Sequence, residues 1–138
     1  MNPNAILARI MEEEGLRLTP YHDSVGVLTI GYGTNITKID EAEATFLLQH
    51  RLLLASDDLL RAFPWVRDLD DARAGVLLDM TYNMGIARLG GFVKMLAAVR
   101  AGDYDLAATE MMASLWAHQV GPRAERLAAI MRTGKEIT

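Results

Sequence analysis

The sequence contains no cysteine, only four prolines, and no apolar run long enough to cross a membrane. Without cysteine, a disulfide scaffold, a thiolate zinc site, an iron–sulfur cluster and a thiol nucleophile are all excluded. Apolar runs are short, as at residues 52–55, whereas a membrane span needs about 18 apolar residues. Residues 1–4 lack the basic and apolar character of a secretory signal. We therefore expect no membrane anchor, and action outside the cytoplasm would require another route of export.

Basic residues are also in the minority. The chain has 14 Lys and Arg against 18 Asp and Glu, which gives a formal net charge of -4. Binding to nucleic acid needs a surplus of cations on one face, so we expect no nucleic-acid partner. The length of 138 residues suffices for one domain with an ordinary hydrophobic core.

The first third of the chain predicts one helix followed by a β-hairpin. Asn2 or Asn4 can cap a helix that ends near Glu14, before Gly15. Alternating apolar and polar residues over 16–21 and again over 27–32 indicate two strands. Between them, residues 23–26 begin with aspartate and end with glycine, which is typical of a tight turn.

The remainder of the chain is predicted to be helical. Overlapping capping patterns at residues 37–43 begin a long helix over about 39–61. Four further helices are predicted over about 69–83, 91–101, 103–117 and 122–133, each ending near a glycine. The expected fold is thus α+β and predominantly helical, with six helices and one hairpin. The hairpin leads directly into the long helix, so we expect no third strand.

Three adjacent glutamates end the first predicted helix, and they are not equivalent. The apolar arc of this helix is formed by Ile6, Leu7, Ile10 and Met11. Glu14 falls near the centre of that arc, whereas Glu12 lies on the far side. We therefore expect Glu14 to be the least solvated of the three. Burial and the helix C-terminus both favour the protonated form of a carboxyl group, as a general acid requires. The alternative is a surface glutamate at a fraying helix end.

Two other polar residues lie close to Glu14 in the sequence. Asp23 opens the predicted turn, and this position by itself accounts for an aspartate. Thr29 faces away from Leu28 and Ile30 in the second strand, although threonine is also simply a good strand former. An acid, a turn carboxylate and a strand hydroxyl on adjacent elements together suggest a catalytic site.

These residues belong to a pattern that resembles the T-even-type phage lysozymes, glycoside hydrolase family 24. The acid, eight residues, aspartate, five residues, threonine spacing of that family is present without a gap. The similarity extends over nearly the whole chain, through four segments: Glu14-Gly15-Leu16-Arg17-Leu18-x-x-Tyr21-x-Asp23-x-x-Gly26-x-x-Thr29-Ile30-Gly31-x-Gly33, Tyr82-Asn83-Met84-Gly85, Gly91-Phe92, and Ser114-x-Trp116-x-x-Gln119 through Arg123-Ala124-x-Arg126 to Arg132-Thr133-Gly134.

The resemblance implies a single two-lobed lysozyme domain over residues 1–138. A small β lobe would cover about 14–37 and a connecting helix about 38–62. The helical lobe would comprise about 63–138 together with the N-terminal helix. The implied activity is that of a muramidase, which hydrolyses the β-1,4 bond between N-acetylmuramic acid and N-acetylglucosamine in peptidoglycan.

The resemblance also implies roles for individual residues. Glu14 would protonate the departing glycosidic oxygen, Asp23 would orient or deprotonate the attacking water, and Thr29 would hold that water. The family resemblance points to inversion, for which the two carboxyl groups lie about 6.5–9.5 Å apart. No metal and no cofactor would be required.

Three further residues are expected to contact substrate because of the resemblance. Tyr82 and Asn83 match positions that face the cleft, although they could equally form a core pair at a helix end. Arg123 matches an arginine that pairs with the catalytic acid, and Arg126 one that pairs with the preceding acidic residue, here Glu13.

The expected partner is the peptidoglycan glycan strand, bound by a monomer. We expect the chain to remain in the host cytoplasm until a holin opens the inner membrane, so that it then acts on the wall from the periplasm. Alternatives are a virion-associated lysozyme used at entry, or a catalytically silent lysozyme-fold module that binds glycan or a protein.

Overall fold

A computed structural model describes residues 1–137, which form two compact units, Met1–Leu47 and the part of the chain from Leu48 onward. The first unit contains the first helix, the whole β-sheet and the beginning of the long helix, and the second unit is helical. The predominantly helical α+β fold expected from the sequence is confirmed. The predicted boundaries of the lobes stay a prediction.

The first unit opens with helix α1 (Pro3–Glu14). Asn2 is its N-cap, since the Asn2 Oδ1 accepts a hydrogen bond from the Ala5 N–H at 3.2 Å. Gly15 ends the helix with a φ of 69°, and its N–H donates to the Met11 carbonyl. Both ends of α1 therefore follow from residues in the local sequence.

Three antiparallel strands follow in the order β1-β2-β3. Their bounds are β1 (Arg17–His22), β2 (Leu28–Gly31) and β3 (Thr34–Asn35). The predicted turn is confirmed: the Gly26 N–H donates to the Asp23 carbonyl at 3.0 Å. The prediction that a third strand is absent is wrong, because Thr34 and Asn35 pair with Ile30 and Thr29 of β2. A strand of two residues is too short to give an alternating pattern in the sequence.

Helix α2 (Glu41–Ala62) is the long helix predicted from the capping patterns. Asp40 and Glu43 form a reciprocal capping box, in which each side chain accepts from the backbone N–H of the other at 2.8 Å. Helix α2 therefore begins two residues later than predicted. A 3-10 turn at Pro64–Asp68 follows the end of α2.

The second unit contains more helices than the sequence predicted. They are α3 (Asp71–Met84), α4 (Ile86–Gly90), α5 (Val93–Ala101), α6 (Tyr104–Met112), α7 (Leu115–Val120) and α8 (Pro122–Thr133). The predicted helix over 103–117 is divided because Ser114 caps a new helix, its Oγ accepting from the Ala117 N–H. The short α4 was not predicted.

The core of the second unit is rich in methionine. Four methionines, Met80, Met95, Met111 and Met131, are at most 1% exposed. They pack with Leu77, Leu89 and other apolar side chains in one cluster. Unbranched, polarisable methionine can fill irregular spaces between helices that cross at different angles. These four helical methionines are therefore core residues.

Arg73 joins α3 to the C-terminal end of α8. Its Nε donates to the Met131 carbonyl at 2.7 Å, and its Nη2 donates to the Arg132 carbonyl at 2.9 Å. These carbonyls belong to the last turn of α8, where no intrahelical donor remains. The guanidinium also pairs with Asp70 at 3.2 Å and lies 3.6 Å from the ring centroid of Tyr104. One side chain thus connects α3, α6 and α8.

Among residues 1–137, none of the helices has the length and apolar character required to cross a membrane.

We expect Arg73→Ala to lower the free energy of unfolding by about 2–3 kcal/mol, because two helix-end carbonyls lose a charged donor. The melting temperature should fall by about 10 °C. Arg73→Lys should recover only part of this loss, since an ammonium group cannot reproduce the planar fork of donors. Arg100→Ala, at an exposed arginine of α5, is the control and should change stability by at most about 0.5 kcal/mol. Equal melting temperatures for Arg73→Ala and the control would contradict the role given to Arg73.

Candidate active site

Asp23 is fixed by the backbone of the β1–β2 turn. Its Oδ1 accepts hydrogen bonds from the N–H groups of Val25 at 2.9 Å and Val27 at 2.8 Å. The side chain is half-buried. The second carboxylate oxygen, Oδ2, takes part in neither of these bonds. The turn therefore sets the orientation of the carboxylate and directs its hydrogen bonding to one oxygen.

Thr29 is the single buried residue of the Met1–Leu47 unit, with 3% of its surface exposed. It lies in β2 opposite Tyr21 of β1. Its neighbours Leu28 and Ile30 are more exposed than Thr29 itself. The Thr29 Oγ1 donates to the Val27 carbonyl at 2.8 Å. A hydroxyl has one proton, so Oγ1 can form any further hydrogen bond only as an acceptor.

The backbone of Val27 connects these two side chains. Its N–H donates to the Asp23 Oδ1, and its carbonyl accepts from both the Thr29 Oγ1 and the Asp23 N–H. Both polar side chains are therefore hydrogen-bonded to the backbone of one residue, and the hairpin fixes the position of that residue. The structure thus places Asp23 and Thr29 on the same backbone residue, and their catalytic roles stay a prediction.

Glu14 is the last residue of α1, where Gly15 ends the helix. Glu12, Glu13 and Glu14 are all exposed, so the burial expected for the Glu14 carboxyl group is wrong, whereas its rank among the three glutamates stays a prediction. Helix α1 contains no buried residue, so the apolar arc identified in its sequence does not bury the carboxyl group. The Glu14 side chain instead lies against Gly33, in the segment that links β2 to β3.

In the second unit, Asn83 is held by a buried tryptophan. The Trp116 Nε1 donates to the Asn83 Oδ1 at 2.9 Å, and Trp116 is 6% exposed. An indole N–H can only donate, so this bond orients the amide with its NH2 group turned away from the ring. Phe92 packs edge-on against Trp116 with ring centroids 6.3 Å apart. Asn83 is therefore both a structural partner and a positioned donor.

Tyr82 and Asn83 line a cavity of about 380 Å³ near the end of α3. Tyr82 is 40% exposed, so its ring is accessible to a ligand. Arg51 and Asp58 of α2 contribute charged groups to the same cavity. An aromatic ring, an amide and ionised groups together suit a ligand with apolar and hydroxyl faces. The substrate contacts predicted for Tyr82 and Asn83 stay a prediction.

Arg123, near the start of α8, forms an ion pair with Asp79 of α3. Its Nε donates to the Asp79 Oδ1 at 3.0 Å, and its Nη2 donates to the same oxygen. Both side chains are more than one-third exposed. No local pattern selects Asp79, because its partner lies 44 residues further along the chain. The predicted pairing of Arg123 with the catalytic acid stays a prediction.

A second cavity of about 610 Å³ lies beside the Trp116 ring. Its apolar wall includes Met84 and Phe92, and Lys94 and Glu110 contribute charges. No pattern in the sequence indicates this cavity, because its lining comes from α3 to α7 and the connections between them. Only the folded arrangement of these helices brings its residues together.

The polar groups of the first unit suit general acid–base chemistry on water. One carboxylate and one hydroxyl are pre-oriented through Val27, and a second carboxyl group projects from the end of α1. Two carboxyl groups are the usual requirement for hydrolysis of a glycosidic bond.

Comparison with known proteins gives one consistent family. A family model described as phage lysozyme matches residues 11–133. Two proteins of Dictyostelium discoideum named as T4-type lysozymes 1 and 2 are 27% and 28% identical, over 88% of this chain and 90% of each relative. The pre-baseplate central spike protein Gp5 of Enterobacteria phage T4 is 30% identical over 96% of this chain, which spans only 28% of that protein. The chain therefore belongs to the phage lysozyme family and is a lysozyme, a glycoside hydrolase.

Proposed function

We propose that this lysozyme is a muramidase that hydrolyses the β-1,4 bond between N-acetylmuramic acid and N-acetylglucosamine in peptidoglycan. The observation that supports it most is the arrangement of Asp23 and Thr29 around Val27. Each side chain is oriented by a hydrogen bond to Val27, and each keeps an oxygen that can accept another hydrogen bond. The glycan strand is the proposed partner, and a monomer is the proposed form. The chemistry uses carboxyl groups and water, and calls for no metal or cofactor.

Asp23 and Thr29 together can orient an attacking water. The Thr29 Oγ1 can only accept, and the Asp23 Oδ2 is an acceptor outside the turn bonds. A water that donates one proton to each of these oxygens has its lone pairs directed away from both. The negative charge of Asp23 stabilises the developing oxocarbenium ion, and Asp23 becomes neutral as it accepts the proton that the water loses on attacking the anomeric carbon.

Glu14 is the proposed general acid. It protonates the glycosidic oxygen as the bond to the anomeric carbon breaks, so that the leaving sugar departs as an alcohol. The exposed carboxyl group is accessible to a polymeric substrate. Tyr82, Asn83 and Arg123 are the proposed sugar contacts of the second unit.

The proposed biological role is host cell lysis at the end of phage growth. The lysozyme would accumulate in the host cytoplasm and reach the peptidoglycan after a holin has opened the inner membrane, so that the holin is needed only for access. The match of residues 11–133 to a family described as phage lysozyme supports this proposal.

A virion-associated lysozyme used at entry is the second candidate. It is favoured by the 30% identity with a phage pre-baseplate central spike protein. The two roles are distinguished by whether purified particles of the phage that encodes the chain contain it. A non-catalytic module that binds glycan or protein is a third alternative, and a wild-type protein without activity on peptidoglycan would support it.

We expect Glu14→Gln to reduce kcat on purified peptidoglycan by about 100-fold to 10,000-fold, because an amide cannot donate the proton required by the leaving group. The measurement is the release of new muramic acid reducing ends. Glu12→Gln makes the same change two residues away, at another exposed position, and should retain activity. Equal activity in Glu14→Gln and Glu12→Gln would contradict the assignment of the acid, and release of peptides would contradict muramidase activity.

We expect the first product to have the α configuration at its new reducing end. A water attacking from the face opposite the leaving group inverts the β-glycosidic centre. The measurement is proton NMR of the anomeric signals during the first minutes of digestion, before mutarotation equilibrates the anomers. An initial β product would indicate retention and overturn the proposed role of the oriented water.

We expect Asn83→Asp to raise KM by about 3-fold to 10-fold, since the ligand loses a hydrogen bond from the amide NH2 group. Its carboxylate can still accept from Trp116, so the melting temperature should stay close to that of the wild type. Asn4→Asp, which adds the same charge at an exposed position in α1, controls for repulsion between the enzyme and an anionic wall. An unchanged KM in Asn83→Asp would argue against a sugar contact at this position.

A further inference from the structure

Gly33 differs from the other glycines with left-handed backbone. Of the eight glycines with positive φ in residues 1–137, six would place an added Cβ in open space. At Gly134 the added Cβ would meet the Arg73 guanidinium. At Gly33 it would meet the Glu14 carboxyl group. At the six positions with open space, the positive φ alone accounts for glycine. At position 33, glycine is required also because the Glu14 carboxyl group occupies the space of a Cβ.

The contact between Gly33 and Glu14 leaves no room for a methyl group. A Cβ at position 33 would lie 2.6 Å from the Glu14 Cδ and 3.1 Å from its Cγ, with Oε2 closer than either. Real Cβ atoms are not found within 3.0 Å of another heavy atom, so one of the two groups would have to move. The Glu14 carboxyl group is the free end of a side chain, whereas Gly33 lies in backbone that continues directly into β3. The carboxyl group would therefore be displaced.

We propose that Gly33 is a positioning residue for Glu14, whose missing side chain provides the space in which the carboxyl group of the general acid lies. This inference rests on the proposed role of Glu14. A general acid must lie within hydrogen-bond distance of the glycosidic oxygen, and a displacement of about 1 Å can reduce the rate by about 100-fold. A side chain at position 33 thus removes activity by moving Glu14 while the sheet remains folded.

Gly31 provides a matched control only two residues away. It ends β2 with a φ of 68°, against 71° for Gly33, so an L-residue would be similarly strained at either position. An added Cβ at Gly31 would contact nothing within 4 Å. The two positions therefore share the backbone strain and differ in the contact with Glu14.

The test compares Gly33→Ala with Gly31→Ala in the full chain. We expect similar melting temperatures for the two variants, and a kcat about 100-fold lower for Gly33→Ala than for Gly31→Ala with little difference in KM. Gly33→Asn and Gly31→Asn repeat the comparison with a residue that tolerates left-handed backbone. This second pair can be measured if the alanine variants fold poorly. Equal kcat values in both pairs would overturn the proposal.

A double-mutant cycle distinguishes displacement of Glu14 from a general loss of structure. Glu14→Asp retracts the carboxyl group by one methylene and lowers activity in the wild type. If Gly33→Ala acts by displacing Glu14, the further loss caused by Glu14→Asp in that background should be several-fold smaller. Independent effects would multiply and would contradict the proposal.

The carboxyl ¹³C resonance of Glu14 gives a readout besides activity. It should shift in Gly33→Ala and stay near its wild-type position in Gly31→Ala. An unchanged resonance in Gly33→Ala would also overturn the proposal. A wild-type protein that releases no muramic acid ends, combined with these spectral changes, would instead refute the proposed function and leave the contact between Gly33 and Glu14 intact.

Discussion

The packing of α3 against α8 is the constraint on which the helical unit depends, and arginines fix it at two points. Arg73 donates to carbonyls in the last turn of α8, and Arg123 near the start of α8 pairs with Asp79 in the middle of α3. Antiparallel helices held in this way have little freedom to slide. The packed methionine core fills the space around them but has no directional bonds of its own. Because Tyr82 and Asn83 lie in the last turn of α3, the same bonds determine where the proposed sugar contacts lie.

The first unit uses a different principle, since its functional groups are held by local hydrogen bonds rather than by a core. The Asp23 carboxylate is a turn residue and a candidate catalytic group at the same time, with one oxygen directed to each task. Thr29 similarly gives its proton to the Val27 carbonyl and retains its acceptor capacity. Both groups are therefore oriented by bonds within the hairpin itself, as catalysis by pre-oriented dipoles and charges requires of the roles proposed for them.

Local sequence chemistry predicted the elements whose stabilising partners are close in sequence. The Asn2 cap, the Asp40–Glu43 capping box and the Asp23–Gly26 turn all depend on contacts within four residues, and all are present. The two wrong predictions concern features that leave no such pattern in the sequence. Strand β3 exists only through its pairing with β2, and its two residues carry no periodicity. The expected burial of Glu14 was inferred from the apolar arc of a helix, but amphipathicity does not fix how far a side chain at the helix end is covered.

The sequence by itself determined the family, the helical character and the identity of the polar residues Glu14, Asp23 and Thr29, because spacing and short-range capping are written in consecutive residues. The tertiary structure decided which groups the candidate site residues contact. Val27 between Asp23 and Thr29, Trp116 behind Asn83, Asp79 beside Arg123 and Gly33 against Glu14 are all set by folding. Three of these four contacts join residues that are 19 to 44 positions apart in the chain, where no local pattern can specify a distance of a few ångströms.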